Sequence, residues 1–176
     1  MQKILIFFLF FSEVLFAQNF RDSIVTFQDI PWNSTMAYVD SVFSSHQLSR
    51  WHNNHHAVWG NDYLSFVGGY FGGYNVKGWH FVFVRHHFAF VIIYLENNED
   101  ATSIVADIGK KYYNKKIDVV QEDKTLKITW YFKTSKIIVE TNPKELNSGD
   151  PVIIYANINL AKEFEQNTNK QSLSDF

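Results

Sequence analysis

The sequence contains no cysteine among its 176 residues. Disulfide bonds are therefore excluded, and so is a lipid-modified cysteine after a leader segment. We expect a mature chain that is not lipid-anchored and that owes its stability to side-chain packing alone.

An excess of charge of one sign is also missing. The chain has 16 Lys and Arg against 18 Asp and Glu, which gives a formal net charge of −2. With no long basic run, there is no electrostatic basis for binding nucleic acid or an anionic membrane surface. Apart from the N-terminal segment, the longest apolar run, residues 88–95, has only the length of a strand. We therefore expect no nucleic-acid partner and no stable membrane anchor in the mature chain.

Recognisable catalytic motifs are absent as well. The sequence has no G-x-S-x-G elbow and no thiol nucleophile. Residues 68–73 (GGYFGG) resemble a phosphate-binding loop, but the pattern that follows them is typical of a strand and not of a helix. Turn and bulge glycines are the preferred interpretation. An unrecognised hydrolase stays a less favoured alternative, and it would need a deep pocket in which a carboxylate or histidine meets a serine.

Residues 1–17 have the layout of a secretory signal peptide. Lys3 precedes the apolar run at residues 4–11, and the segment ends at Ala17, a small residue suited to a cleavage site. The run is too short for a stop-transfer helix. We expect a mature chain that begins at Gln18 and that lies in the periplasm or outside the cell.

The apolar spacing predicts two main helices. In the first, Val39 and Phe43 share a face, Asn33 or Ser34 is the expected N-cap, and the helix ends near Ser45. The second follows the loop at residues 96–100. Its apolar stripe comprises Ile104, Val105, Ile108 and Tyr112.

The remaining 159 residues (176 − 17) suffice for one domain. The predicted order is helix, three strands, helix, four strands and a short helix at 160–165. The strands are placed at 63–71, 79–84, 88–95, 117–121, 126–132, 136–141 and 152–157. Runs of strands separated by single helices favour antiparallel pairing, so we predict one α+β domain over residues 18–165. The helix-then-meander order occurs twice, which is consistent with two similar halves, and the polar residues 166–176 are predicted to be disordered.

Aromatic residues are what the sequence has in abundance: 5 Trp, 9 Tyr and 17 Phe. In the strand predicted at 79–84, alternate residues point to opposite sides of a sheet. If no helix covers the aromatic side, an exposed apolar patch remains for a ligand or a protein partner. The candidate binding residues are Tyr70, Tyr74, Trp79, Phe81 and Phe83. The competing interpretation is an ordinary helix-on-sheet core.

A second candidate site is a histidine cluster. His52, His55 and His56 lie in a polar segment, residues 47–62, which we predict to be a loop with a helical turn. On such a turn, His52 and either of the other two would be close enough to share a zinc or copper ion. Metal sites need three or four ligands, however, and Asp62 is the only acidic residue nearby, so a polar surface loop is the competing interpretation. His86 and His87 are predicted at the tip of a hairpin.

Two segments carry a resemblance to a group of known proteins. Residues 27–35 read FQDIPWNST before a predicted helix, and residues 110–113 read KKYY at a helix end. Together with the leader, they resemble small exported bacterial envelope proteins of unknown function, which read I-P-W-G-[ST]-S before a helix and K-Y-G at a helix end. Asn33 stands here where glycine is usual, and Tyr113-Asn114 replaces the second glycine. The resemblance implies an exported or periplasmic location and assigns no catalytic residue.

The sequence therefore predicts an exported, non-enzymatic α+β domain without a cofactor. Its expected role is to bind an envelope protein or an apolar ligand through the aromatic residues between Tyr63 and Tyr94. The alternative from a different class is a metal-binding protein that uses His52, His55 and His56.

Overall fold

A computed structural model of the chain describes residues 24, 26–45, 49–56, 61–142 and 149–174. Side chains are described for residues 24, 26–44, 62–142 and 149–167. The predicted signal peptide, residues 1–17, lies outside this part of the chain.

The described residues form an α+β fold, as predicted. The helices are α1 (Met36–Ser45), α2 (Asn98–Lys111) and α3 (Ile158–Ser174). The strands are β1 (Thr26–Phe27), β2 (Ile30–Pro31), β3 (Ser49–His56), β4 (Asn61–Val67), β5 (Tyr70–Phe71), β6 (Tyr74–Val84), β7 (His87–Leu95), β8 (Lys116–Glu122), β9 (Thr125–Tyr131), β10 (Ser135–Thr141) and β11 (Val152–Asn157). Within the described ranges, no helix is both long and apolar enough to cross a membrane.

The strands pair antiparallel in one large sheet with the order β3-β4-β6-β7-β11-β10-β9-β8. The short β5 pairs with β6, and β1 and β2 form a separate hairpin. Each half of the large sheet is a four-strand meander preceded by a helix. The last strands of the two meanders, β7 and β11, pair in the middle, with Val152 opposite Tyr94 and Ala156 opposite Phe90. The two similar halves predicted from the element order are thus present in the topology.

One face of the sheet carries the main core. The β1–β2 hairpin and helices α1 and α2 all pack on this face. The ring of Phe43 in α1 lies 4.4 Å from that of Phe81, between centroids, and the ring of Phe27 in β1 lies 6.2 Å from it. Helix α2 contributes Ile104 and Ile108, both buried. Packed aromatic rings fill this layer in place of the disulfides that the chain cannot form.

Helix α3 packs on the opposite face, against β7 and β11 near the β6–β7 hairpin. Phe164 makes an edge-to-face contact with Phe90 at 5.1 Å, and Ala161 is buried. Both faces of β7 are apolar because helices cover both sides of this central strand. The backbone of α3 continues to Ser174, so the predicted disorder from residue 166 is wrong for residues 166–174. A polar composition indicates that few apolar side chains are available for a core, but it does not by itself exclude a helix.

The start of α1 differs by one residue from the prediction. The Oγ1 atom of Thr35 accepts a hydrogen bond from the backbone N–H of Tyr38 at 3.3 Å, so Thr35 is the N-cap in place of Asn33 or Ser34. Asn33 has φ +72° and lies in the turn before the helix, where asparagine tolerates the left-handed conformation. The sequence pattern located the helix correctly but not its cap.

Candidate functional site

A cavity of about 420 Å³ opens on the core side of the sheet. It lies between the β1–β2 turn, helix α1 and the loop that joins β4 to β5. Its described lining residues are Gln28, Asp29, Val42, Phe43, Gly69, Tyr70 and Trp79. A volume of this size falls within the range of pockets that hold small-molecule ligands.

The floor of the cavity is formed by two packed aromatic rings. Trp79 and Phe43 are both buried, and their ring centroids lie 5.5 Å apart in an edge-to-face arrangement. The indole N–H of Trp79 donates a hydrogen bond to the carbonyl oxygen of Gly68 at 2.8 Å. Because that polar group is already paired, the side chains of the floor offer a ligand no free hydrogen-bonding group.

One rim of the cavity is the turn between β1 and β2. Gln28 and Asp29 form a two-residue turn with φ +47° and +65°. Both values are typical of the type I′ turns that close tight hairpins. The flanking Phe27 and Ile30 are buried in the core and hold the turn in place. A glutamine in this conformation is unusual, and such outliers occur preferentially at functional sites.

The opposite rim is Tyr70, whose side chain is 71% exposed. It follows Gly68 and Gly69, which have φ +73° and +98° and turn the chain from β4 into β5. The next residue, Phe71, points into the core and stacks on Phe27 at 6.4 Å. The glycines therefore act as turn residues, as predicted, and they leave the Tyr70 ring beside the mouth of the cavity.

The predicted aromatic patch divides into two groups in the structure. Trp79, Phe81 and Phe83 are buried, because α1 and the β1–β2 hairpin cover the face that carries them. The idea that this face is open is therefore wrong. Tyr74 is partly buried, and its hydroxyl donates to Oδ2 of Asp107 in α2 at 3.1 Å. Of the five candidates, the structure brings only Tyr70 and Trp79 together at the cavity, and ligand binding by any of them stays a prediction.

The sequence pattern does not point to the other residues of the cavity. It predicts Phe43 on the buried face of the first helix and gives no site role to Val42, Gln28 or Asp29. A polar pair between Phe27 and Ile30 is a weak signal for a two-residue hairpin turn. Nothing in the sequence indicated which residues this turn would approach.

The histidine cluster lies in a different local structure from the one predicted. Residues 49–56 form strand β3, which pairs with β4 with His52 opposite Ser65 and His56 opposite Asn61. The prediction of a loop with a helical turn is therefore wrong, because polar histidines and asparagines also suit an edge strand. An extended strand rises about 3.3 Å per residue, so the helical spacing that would have joined His52 to His55 is absent. The side chains of His52, His55 and His56 lie outside the described residues, and metal binding by them stays a prediction.

The second histidine pair lies at the tip of the β6–β7 hairpin, as predicted. Arg85 and His86 form its two-residue turn with φ +48° and +67°. His86 Nδ1 lies 2.8 Å from Oδ2 of Asp62, and His87 Nδ1 lies 3.1 Å from the carbonyl oxygen of Asn33. Among the residues whose side chains are described, no three His, Asp or Glu residues converge as a metal site would require.

His80 lies on the face of the sheet opposite the main core. Its ring stacks beside Tyr63 at 6.1 Å, and its Nδ1 atom lies 3.5 Å from the hydroxyl of Tyr94. Burial lowers the pKa of His80 below its ordinary value of 6.5 because it disfavours the charged imidazolium.

We expect this burial to make the protein less stable in mild acid. Below pH 6.5 the unfolded chain takes up a proton at His80 more readily than the folded chain, so the free energy of unfolding falls as the pH drops from 6.5 through the folded-state pKa. Above pH 6.5 the contribution is constant. Urea unfolding of the wild type and of His80→Gln at pH 7.5, 6.0 and 5.0 measures the difference, and the variant should show the shallower loss. If the free energies of unfolding of the two proteins fell equally as the pH drops, His80 would not be the source of the acid sensitivity.

Comparison of the chain with known proteins does not identify a family. No protein-family model, no curated protein and no solved structure matches the chain. Function is therefore argued from the cavity and the residues that line it.

Proposed function

We propose that this protein binds a small ligand that has an apolar ring and a cationic group, and that it does so in the cavity between Tyr70 and the β1–β2 turn. The observation that carries the proposal is the combination of an aromatic floor, whose one polar side-chain group is already hydrogen-bonded, with a carboxylate at the rim. Export to the periplasm or beyond is part of the same proposal, and its support is the sequence pattern of residues 1–17.

The apolar part of the ligand is inferred from the floor. Trp79 and Phe43 lie at the floor as buried rings with no unpaired polar group of their own, and the partly buried Val42 supplies accessible aliphatic surface beside them. The exposed Tyr70 ring stands at the rim, where it can close over a bound ring. Aromatic pairs of this kind are more favourable than the buried area alone accounts for.

The cationic part is inferred from Asp29. Among the described lining residues, Asp29 is the acidic one, and no Lys, Arg or His lies with it. A carboxylate at the mouth of an apolar cavity favours a cation and disfavours an anion. The hydrolase alternative required a serine beside a carboxylate or histidine, and the described lining has no serine, which favours binding over acyl transfer.

Two probes with the same ring and opposite charge test the proposal. By isothermal titration calorimetry at pH 7.5, we expect 2-naphthylmethylamine to bind more tightly than 2-naphthoate. Tyr70→Ala should weaken binding of the amine about three- to tenfold, because the exposed ring contributes to the ligand contact and not to the core. Asp29→Asn should weaken binding of the amine about two- to fivefold, as expected for the loss of an exposed ion pair. The affinity for 2-naphthoate should stay the same or increase.

The variants are matched to their controls. Asparagine tolerates the left-handed backbone at position 29, so Asp29→Asn changes the charge and preserves the turn. Tyr113, which is 75% exposed and does not line the cavity, provides an exposed-tyrosine control as Tyr113→Ala. Equal affinity of wild type, Tyr70→Ala and Tyr113→Ala for both probes would overturn the proposal.

A further inference from the structure

Strand β8 (Lys116–Glu122) lies at one edge of the large sheet, and among the described strands it pairs only with β9. It exposes three apolar side chains: Ile117 is 42% exposed, Val119 62% and Val120 48%. An exposed edge strand presents unpaired backbone N–H and C=O groups, which are a template for another strand. Natural edges are usually protected by bulges, prolines or short strands, but the register of β8 with β9 is continuous over seven residues.

The β8–β9 hairpin fixes which backbone groups point outward. Glu122 is opposite Thr125, with a two-residue turn between them in which Asp123 has φ +50°. In such a hairpin the closing pair exchanges both backbone hydrogen bonds, and bonded pairs then alternate along the ladder. The even-numbered residues of β8 therefore bond to β9. The N–H and C=O groups of Ile117, Val119 and Gln121 point to the open edge.

We propose that this edge pairs antiparallel with β8 of a second copy of the chain, about a two-fold axis at Val119. The outward-pointing residues would then face one another, with Val119 opposite Val119 and Ile117 opposite Gln121. Three such pairs with two bonds each satisfy the outward backbone groups of both strands. The two large sheets become one continuous sheet, which removes one exposed edge from each copy.

Charge selects this register over its neighbours. With the axis at Val119, Lys116 of each copy lies directly opposite Glu122 of the other, so opposite charges meet at both ends of the interface. An axis one residue earlier places the two Asp118 side chains face to face. An axis one residue later places Asp118 opposite Glu122. Both alternatives bring like charges together, so charge favours the axis at Val119 over the two registers next to it.

The interface consists of one strand pair and is small, so the dimer is expected to dissociate with a constant on the order of micromolar. Sedimentation equilibrium between about 1 and 300 µM, the concentration range that brackets such a constant, should show a monomer–dimer equilibrium. Glu122→Lys should weaken the dimer about tenfold, because two attractive pairs become two repulsive ones. The double variant Lys116→Glu/Glu122→Lys should restore the wild-type constant to within about threefold, because the pairs are the same with their sides exchanged.

Two further variants test the interface directly. The first tests whether the backbone N–H of Val119 points to the partner strand, and the second introduces a single cysteine into a chain that has none. Val119→Pro removes an N–H that points outward and is not used by β9, so it should abolish the dimer and leave the melting temperature close to that of the wild type. Val119→Cys should form a disulfide-linked dimer faster than Val120→Cys, since only residue 119 lies opposite itself.

A wild type that stays monomeric over the whole concentration range would overturn the proposal. So would a dimer that Glu122→Lys leaves unchanged, or a Glu122→Lys defect that the double variant does not repair. If Val119→Pro fails to fold, the charge exchange and the cysteine pair still decide the matter. Dimerisation through another surface would appear as a dimer that Glu122→Lys leaves unchanged, and pairing of β8 only with a different protein would appear as a wild type that stays monomeric.

Discussion

Trp79→Ala is expected to lower the free energy of unfolding by about 3–5 kcal/mol, the range typical of a buried tryptophan replaced by alanine. Trp79 is buried, its ring contacts Phe43, Phe71 and Phe27, and its N–H is bonded to the carbonyl of Gly68. The substitution removes the ring that these three aromatic side chains pack against and leaves the Gly68 carbonyl without its donor. Small domains are stable by about 5–15 kcal/mol in total, so this loss is a large share.

Urea unfolding followed by circular dichroism measures the effect. Trp79→Phe keeps most of the ring contacts and loses the hydrogen bond, so it should cost clearly less than Trp79→Ala. Tyr113→Ala, at an exposed position, should change the free energy by less than about 0.5 kcal/mol. If Trp79→Ala cost no more than Tyr113→Ala, the tryptophan would not be part of the core, and an open aromatic face would again be a reasonable interpretation.

The sequence predicted an element correctly where the spacing of its apolar residues matches the side of the element that the fold buries. Alternation along residues 79–84 placed Trp79, Phe81 and Phe83 on one side of the sheet, and all three are buried there. The apolar stripe after residue 97 predicted α2, whose cap is Asn97: its side chain accepts a hydrogen bond from the backbone N–H of Asp100 at 2.9 Å. In both elements the periodicity of the apolar residues equals the geometric period of the structure they form.

Long-range pairing could not be read from the same patterns. The β1–β2 hairpin contains only two residues in each strand, so no periodicity can identify it. Its position depends on Phe27, which packs against Tyr155 at 5.2 Å, more than 100 residues later in the chain. The pairing of β7 with β11 joins residues 58 to 66 positions apart, from Val152 with Tyr94 to Ala156 with Phe90. Local propensity carries no information on such contacts, which are set by the packing of the complete core.

The cavity was unpredictable for the same reason. Three of its walls come from the β1–β2 turn, α1 and the β4–β5 loop, which are separate in sequence. The sequence singled out Tyr70 and Trp79 by their chemistry alone. Whether each faces a ligand or the core is decided by the elements above them: the hairpin and α1 bury Trp79, whereas nothing described covers Tyr70.

Gly78→Ala is expected to destabilise the fold by about 1–3 kcal/mol, the usual cost of an overpacked site. Gly78 lies in β6 between Val67 of β4 and Tyr94 of β7. A Cβ atom there would lie 2.9 Å from the backbone oxygen of Phe66, closer than real Cβ contacts permit. Because that oxygen belongs to the backbone of the neighbouring strand, the clash is relieved only if β4 and β6 move apart, which weakens the pairing that also positions Trp79 opposite Phe66.

The matched control is Gly109→Ala in helix α2. A Cβ atom at position 109 meets no other atom within 4 Å, and alanine is the better helix former, so this substitution should raise the free energy of unfolding by about 0.5–1 kcal/mol. The two glycine-to-alanine changes therefore have opposite expected signs, and urea unfolding of both variants measures them under the same conditions. A Gly78→Ala protein at least as stable as the wild type would mean that the strands separate at this point without cost, and the tight β4–β6 contact would then play no part in fixing the floor of the cavity.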